Sequence, residues 1–432
     1  MSIYYFSLDA TGNADGSSEA NAYDGTSTVT LPDGSSGVCR INNIVYVMPP
    51  GDILYVKKSD DTITWHASTT NPTQANDGPT NFAQGYGPVR IIGYGSTVTD
   101  GIRPTINMGG NVWRFNRRSG EISNFNFSGT YSAGSIKMSA DSLISNCRLH
   151  NLNTTTASQT IYLEGGGADR CELISDQTSS DPTGSPASVV YIWPTGNSRI
   201  TNCYIEARNG VHGIMVGSRS ASMNIFNNII NVNLDVGGAG NDNGSGIYCD
   251  DIGYQISGNI IGNIIHNGKY GIYLGGTSSR VNGSISGNLF SSCATAIDGT
   301  SHYNAKVDAN DTAMTKPISS YNNFYWSNTA NSYLNSERNP VYLISDPFVD
   351  YVNKDFSTKD ASLSEFGYAK SFTQPGASGD TTTSNALVPL RRFTVTTSGS
   401  LSLGTGDVGD VVTVSGTEFQ KISNSPIVWN VI

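Results

Sequence analysis

The 432-residue chain carries 25 basic and 35 acidic side chains, a formal net charge of −10, and only 14% of its residues are charged, against about a quarter in ordinary globular domains. With 37% hydrophobic residues, 48 Gly, 16 Pro and 22 Tyr, it is too apolar and too weakly charged for a disordered chain. An acidic balance without basic clusters speaks against a nucleic-acid partner, and no apolar run is long enough to span a membrane.

In chain order, the start Met1-Ser2-Ile3-Tyr4-Tyr5-Phe6 has neither a basic region nor an apolar signal core, so no secretory leader is expected. The first strand signal is Tyr4-Tyr5-Phe6-Ser7, followed by a Gly/Asp/Asn run through Gly25. Pro50-Gly51-Asp52-Ile53-Leu54-Tyr55-Val56 and Val89-Arg90-Ile91-Ile92-Gly93-Tyr94-Gly95 are the next two. From residue 122 an internal repeat organises the chain. The pattern Ile-x-Asn-(Phe/Cys/Asn)-x-apolar begins at Ile122 and Ile144, weakens at Ala168, and returns at Ile200, Ile225, Ile256 and Ile285. Its fourth position is Phe125, Cys147, Cys171, Cys203, Asn228, Asn259 and Asn288, at steps of 22, 24, 32, 25, 31 and 29 residues. A second series interleaves with it: Ile136/Met138, Ile161/Leu163, Val190/Ile192, Ile214/Val216, Ile247/Cys249, Ile272/Leu274 and Ile297.

Same-face residues of a strand are two apart. The Ile and the fourth position are three apart, so the alternation slips by one there, as at a corner between two sheets. Asn and Gly suit the left-handed backbone of such a corner. The repeat therefore predicts a solenoid whose coils stack about 4.8 Å apart, with the fourth positions forming an interior ladder.

These residues resemble the pectate-lyase-like right-handed parallel β-helix superfamily over roughly residues 1–370. The opening strand, the two coils at residues 50–56 and 89–95, and the closing Asp346-Pro347-Phe348 with Lys354-Asp355-Phe356 carry the resemblance. It implies an all-β fold, a right-handed parallel β-helix over residues 1–369 that includes an N-terminal cap. The same fold hosts enzymes, adhesins and phage tailspikes, so it does not fix an activity. Residues 370–386 are rich in Gly, Ser and Thr and read as a linker. Three alternating runs beyond it, Phe393-Thr394-Val395, Val411-Val412-Thr413-Val414 and Ile427-Val428-Trp429-Asn430-Val431, predict a small C-terminal β module over 387–432. So short a module is expected to dock on another surface or on copies of itself.

The six Cys have no metal-type spacing. Cys147, Cys171 and Cys203 share one repeat position, where parallel side chains suit buried free thiols better than a disulfide. Free thiols fit synthesis in a reducing compartment.

In the second series the residues between the inward ones face outward: Lys137, Tyr162, Tyr191, Met215, Tyr248, Tyr273 and Asp298. Two positions on lie Ser139, Glu164, Trp193, Gly217, Asp250 and Gly275. One sheet face should therefore show a stripe of Tyr162, Tyr191, Trp193, Tyr248 and Tyr273, the candidate ligand-binding residues, since aromatic faces stack on sugar rings. Glu164, Asp250 and Asp251 are the acid/base candidates if the protein is an enzyme. Long insertions at 175–187 and 233–245 fall beside this face, and Asp242, Asp250 and Asp251 are the candidates for a calcium ion; no other cofactor is expected.

Cys249-Asp250-Asp251 and Val211-His212-Gly213 resemble polygalacturonase elements, but in reversed order and without the Arg-Ile-Lys that should come after them. Arg199, Arg208 and Arg219 stand as neighbours for Glu206. With no complete catalytic signature, the resemblance implies first a phage virion surface protein, a spike, fibre or decoration subunit made in the host cytoplasm. Its expected partners are other virion proteins, copies of itself as a trimer or by lateral packing, and a polysaccharide. The alternative is a polysaccharide-degrading enzyme, either a tailspike depolymerase or an extracellular hydrolase or lyase. A bacterial surface adhesin is a third class.

Overall fold

The computed structural model describes residues 1–64, 87–98, 100–108, 113–115, 117–130, 136–139, 141–154, 159–177, 188–193, 197–217, 221–232, 244–249, 255–274, 280–298, 319–321, 323–332, 337–350, 355–359, 392–395, 411–414, 417–424 and 427–431. Among them the chain winds repeatedly through three parallel sheets. Sheet 1 has twelve strands, from Ile3–Phe6 and Ile53–Lys57 through Glu121–Ser123 and Asn197–Thr201 to Glu337–Arg338. Sheet 2 has eleven, from Ile63–Thr64 through Asn126–Gly129 and Tyr204–Ala207 to Val341–Tyr342. Sheet 3 has nine, including Ile136–Ser139, Gln159–Glu164, Ser188–Trp193, His212–Val216, Ile247–Cys249, Tyr270–Leu274 and Thr295–Asp298. Each full coil visits sheets 1, 2 and 3 in that order. Crossovers between parallel strands are right-handed in about 98% of cases; the coils are the solenoid expected from the repeat, and the fold is the right-handed parallel β-helix that the family resemblance implies.

The core is built of rows rather than layers. In sheet 1, Leu54, Ile91, Ile122, Ile144, Ala168, Ile200, Ile225, Ile260 and Ile285 are register partners in sequence. All are buried. Apart from Leu54 and Ala168 the row is isoleucine, whose β-branched side chain fits stacking on a like neighbour one strand away, and each isoleucine contributes about 1.5–3 kcal/mol of burial.

The corner between sheets 1 and 2 repeats one conformation. Asn124, Asn146, Arg170, Asn202, Asn227, Gly262 and Gly287 all take a positive φ between 50° and 68°. Asn and Gly accept this backbone with little strain. The next residue in each coil points inward and forms the ladder. Early rungs use sulfur: the Phe125 and Cys171 amides donate to the Sγ atoms of Cys147 and Cys203, each at 3.4 Å. Later rungs use side-chain amides. Cys203 N–H donates to Asn228 Oδ1 at 2.9 Å, Asn228 to Asn263 at 2.9 Å, Asn263 to Asn288 at 3.0 Å and Asn288 to Asn323 at 3.0 Å. The Nδ2 groups of Asn228, Asn263 and Asn288 donate back to the carbonyls of Ile200, Ile225 and Ile260.

One expected rung differs. Asn259 is not in the ladder; it is half-buried on the outer side of sheet 1, its Nδ2 donating to Asn224 and its Oδ1 accepting from Ser284. Asn263 takes its place, so the separations from Asn228 and to Asn288 are 35 and 25 residues. Ile256-Ser257-Gly258-Asn259 copies the letters of Ile285-Ser286-Gly287-Asn288, but Ile285 pairs with Ile260.

A helix, Ile41–Val47, adds Ile41, Ile44 and Val45 to the core. The buried Arg117 ties it down, one guanidinium nitrogen donating to the carbonyls of Val45, Tyr46 and Met48 at 2.7, 3.0 and 2.8 Å. These carbonyls at the helix end otherwise have no partner within the helix.

The outer side of sheet 2 carries an apolar row, Tyr204, Ile229, Ile264, Leu289 and Phe324, in register. Phe348 and Phe356, from the antiparallel pair Phe348–Asp350 and Asp355–Thr358, complete a second buried cluster with it. The C-terminal strands, Arg392–Val395, Val411–Val414, Thr417–Asn424 and Ile427–Val431, form a four-stranded sheet. Thr417–Asn424 is additional to the three runs the sequence predicts; only Phe419 and Ile422 are apolar in it. The linker at 370–386 lies outside the described residues.

The ladder yields a direct test of register. Asn263→Ala strands the Asn228 amide and the Ile225 carbonyl in the core, so urea unfolding should show a loss of about 3 kcal/mol. Asn259→Ala, on the half-exposed outer side, should cost less than about 1 kcal/mol. The reverse order would place Asn259, not Asn263, in the ladder.

Candidate functional site

Sheet 3 presents the outward row in the expected order. Lys137, Tyr162, Tyr191, Met215, Tyr248, Tyr273 and Asp298 are successive register partners, and Ser139, Glu164 and Trp193 form the parallel row beside them. The alternate residues Ile136, Met138, Ile161, Leu163, Val190, Ile192, Ile214, Val216, Ile247, Cys249, Ile272, Leu274 and Ile297 are buried. That alternation fixes which residues point out. Seven members span six strand spacings, about 29 Å along the helix axis.

The row divides into two aromatic groups. In the first, Tyr162 lies 5.1 Å from Tyr191 and 6.1 Å from Trp193, with Tyr191 and Trp193 5.9 Å apart. Lys137 Nζ sits 4.8 Å from the Tyr162 ring centre, within cation–π range. In the second, Tyr248 stacks on Tyr273 at 5.2 Å and 12°, and Tyr273 contacts Tyr270 at 5.0 Å. The five expected aromatic residues are all half-buried. Between the groups Met215 is buried, and Gly217 leaves the space that Tyr191 uses: a Cβ there would lie 2.4 Å from the Tyr191 hydroxyl.

Two members of the second group escape the sequence pattern. His212 stacks on Tyr248 at 4.4 Å and 22°, and Tyr270 joins with Lys269 over its ring at 5.3 Å. Both precede a glycine that turns inward. A Cβ on Gly213 would meet Ile230 at 2.5 Å, and one on Gly271 would meet Phe290 at 2.5 Å. Two consecutive inward residues, Gly213-Ile214 and Gly271-Ile272, therefore break the two-residue count. Glycine just before an apolar pair was the signal available.

Of the acid/base candidates, Glu164 stands beside the first aromatic group, half-buried, with Ser139 Oγ donating to its Oε2 at 3.3 Å. Asp250, Asp251 and Asp242 lie outside the described residues, as does Arg219. No group of three or more His, Cys, Asp or Glu side chains suited to a metal occurs among the described residues. All six cysteines are buried with free thiols. Burial raises the Cys147 and Cys203 thiols well above their ordinary value and pushes Cys293 up to about 12.

Arg208 does pair with Glu206, at 2.8 Å, but on the outer side of sheet 2, whereas Arg199 belongs to sheet 1. There an ion cluster that the sequence pattern does not reveal spans three coils: Arg148 with Glu172 at 3.0 Å, Arg208 with Asp176 at 2.7 Å, and His150 with Asp176 at 2.9 Å. Burial lowers the His150 pKa despite Asp176, so at neutral pH His150 meets Asp176 as a neutral imidazole. Glu172 and Glu206 are almost fully buried. The cluster links coils of sheet 2 and does not share the aromatic face.

The strand registers define the class: a right-handed parallel β-helix protein with an aromatic outer face on one sheet. No protein-family model matches the sequence, and no curated protein matches it significantly. Among solved structures the chain is similar to pectate lyase Pel9A (12% identity, 78% of each chain covered, TM-score 0.44). It is also similar to a mutant tailspike protein of E. coli bacteriophage HK620 (14% identity, 69% of this chain and 55% of that chain, TM-score 0.42). A third is XylC in complex with xylose (11% identity, 69% of this chain and 55% of that chain, TM-score 0.38). The chain spans about half the length of the tailspike and XylC chains. These likenesses concern architecture alone.

Two buried histidines give a pH dependence. Burial lowers His212 to about 3 and His266 to about 4, the latter against the opposing pull of Asp346. His266 lies under Phe348 and Phe356, at 6.1 and 5.5 Å, with its Nδ1 against Ser291 Oγ. Both are neutral in the native state, while in the unfolded chain they take up protons below about 6.5. The unfolded state therefore binds more protons between pH 6.5 and 4, and stability falls as the pH falls through that window. Each contributes at most about 1.4 kcal/mol per pH unit. Urea midpoints measured from pH 7 to 4 should decline, and His266→Phe should flatten the decline; an unchanged slope would mean His266 is not buried neutral.

Proposed function

We propose that this chain is a phage virion surface protein, a β-helix spike, fibre or decoration subunit, whose sheet 3 face binds a glycan chain along the helix axis. The observation that carries glycan binding is the aromatic row itself. Six half-buried rings, four of them in one register row, share one sheet face in two groups about three coils apart. Their flat apolar faces suit the C–H faces of sugar rings, and their hydroxyl and indole N–H groups suit sugar hydroxyls. Glu164, Lys137 and Lys269 supply charged hydrogen-bonding partners at the edges. A rigid scaffold loses little entropy on binding. Assignment to a virion draws support from the buried free thiols, which fit synthesis in a reducing cytoplasm, and from a C-terminal sheet small enough to require a docking partner.

A second reading, a polysaccharide-degrading enzyme, is favoured by one placement: Glu164 is in register with Trp193 on the same face. A hydrolase of this kind would require a second carboxylate, for which Asp250 and Asp251, next after Cys249 in the sequence, are the candidates.

Screening immobilised acidic and neutral polysaccharides should find a binder. For that glycan, Trp193→Ala and Tyr162→Ala should each weaken binding roughly tenfold, about 1.4 kcal/mol, without moving the unfolding midpoint appreciably. Tyr342→Ala, exposed at the end of sheet 2, should leave binding unchanged. Equal binding by all three variants would remove the aromatic face from the reading. Release of reducing ends or unsaturated sugars, abolished in Glu164→Gln, would select the enzyme.

A further inference from the structure

We propose that the antiparallel pair Phe348–Asp350 and Asp355–Thr358 is an acid-released strap, which protonation of His266 lifts from the outer side of sheet 2 while the solenoid stays wound. Lifting it uncovers the apolar row of Ile229, Ile264, Leu289 and Phe324.

The strap and the solenoid have separate cores. Phe348 and Phe356 are fully buried, but they belong to the outer cluster on sheet 2 and not to the interior of the helix. The two strands pair with each other, Phe348 with Thr358 and Asp350 with Asp355, and add no strand to the three parallel sheets. A lone two-stranded pair is marginal in water, so the two phenylalanine rings are what seat it. At its base the Lys359 amide donates to the Pro347 carbonyl at 2.7 Å, and Lys359 Nζ pairs with Asp346 at 3.2 Å. A small unit of this kind opens at less cost than the long sheet beneath it.

His266 lies under both rings. Its ring centre is 5.5 Å from that of Phe356 and 6.1 Å from that of Phe348, and the residue is 2% exposed. Its Nδ1 meets Ser291 Oγ on the next strand. The neighbours in its own strand, Ile264 and Ile265, carry no charge, and its register partners Asn231 and Ser291 are neutral. Glu206, one strand beyond Asn231, is held by Arg208 at 2.8 Å. From the strap come Asp346, tied to Lys359, and the paired Asp350 and Asp355. Burial lowers His266 to about 4, outweighing the opposing charge of Asp346. Lifting the strap returns the ring to water and to its ordinary value near 6.5. The lifted form therefore binds the proton more tightly. Closure weakens as the pH falls from 6.5 to 4, by up to about tenfold for each pH unit.

Trp326 reports on the strap, because its ring meets Phe348 edge-on at 6.3 Å and 88°. The emission that Trp326→Phe removes should be followed from pH 7 to 4, beside the far-UV circular dichroism of the whole chain. It should move to longer wavelength below pH 6.5 while the circular dichroism keeps its neutral value. His266→Gln keeps a hydrogen-bonding side chain toward Ser291 and does not titrate, so there the emission should stay still. Phe348→Ala, with His266 intact, should show at pH 7 the emission that the parent reaches at pH 4. This second variant keeps the test decisive if His266→Gln does not fold. Emission that is constant down to pH 4, that moves only together with the circular dichroism, or that moves equally in His266→Gln would overturn the strap. So would a Phe348→Ala emission at pH 7 identical to that of the parent.

Discussion

The corner between sheets 1 and 2 is the constraint on which the molecule depends. A parallel β-helix needs its chain to turn at the same angle in every coil, or the strands above and below lose register. Here the turn is reduced to two residues, one in the left-handed region and one pointing inward. The left-handed residue is Asn or Gly in all but one of the corners described, Arg170 being the exception, with Nε paired to Asp169 at 2.9 Å. The inward residue satisfies the backbone that the turn leaves open. Because the amides of Phe125, Cys171, Cys203, Asn228, Asn263 and Asn288 each donate to the side chain one coil later, these rungs position their successors. Sulfur and carboxamide perform the same task in different halves of the solenoid. The thiol rungs are weaker acceptors but pack as small apolar groups; the amide rungs both donate and accept.

Much of this is legible in the sequence, for a physical reason. A solenoid places like residues on like residues, so a core row appears in the sequence as recurring Ile at coil spacing, and an outward row as the residues between. The three-residue step from Ile to the ladder position betrays the corner, since a flat strand would keep a step of two. The failure at Asn259 has an equally physical cause. Letter similarity aligned Ile256-Ser257-Gly258-Asn259 with the next coil, but the ladder position is the one immediately after the left-handed residue. Gly262 takes that conformation with φ of 68°, and Gly258 has φ of 155° within a sheet strand. Both stretches read alike; only the backbone separates them.

The candidate face is legible to the extent that alternation holds. Tyr162, Tyr191, Trp193, Tyr248 and Tyr273 obey it. His212 and Tyr270 lie just before the point where Gly213-Ile214 and Gly271-Ile272 both turn inward, and a count by twos assigns them to the wrong side. The ion cluster around Asp176 and Arg208 is illegible for another reason: its members come from three coils, and sequence distance says nothing about which side chains meet across a sheet.

The outer sides of sheets 2 and 3 make the functional argument by contrast. Both are rows in register on the same scaffold, differing in what they carry. Sheet 2 shows Ile229, Ile264, Leu289 and Phe324, which have no polar tips, and the chain returns to bury them with Phe348 and Phe356. Sheet 3 shows tyrosines and a tryptophan, each with an apolar face and a polar tip, and they stay half-buried. Covering sheet 2 needs only the hydrophobic effect. Rings of mixed character suit a surface that meets a partner both apolar and hydroxylated, and remains wetted when that partner is away. Selection for packing alone would have favoured isoleucine or valine in such a row, as it did on the inner side of the same strands.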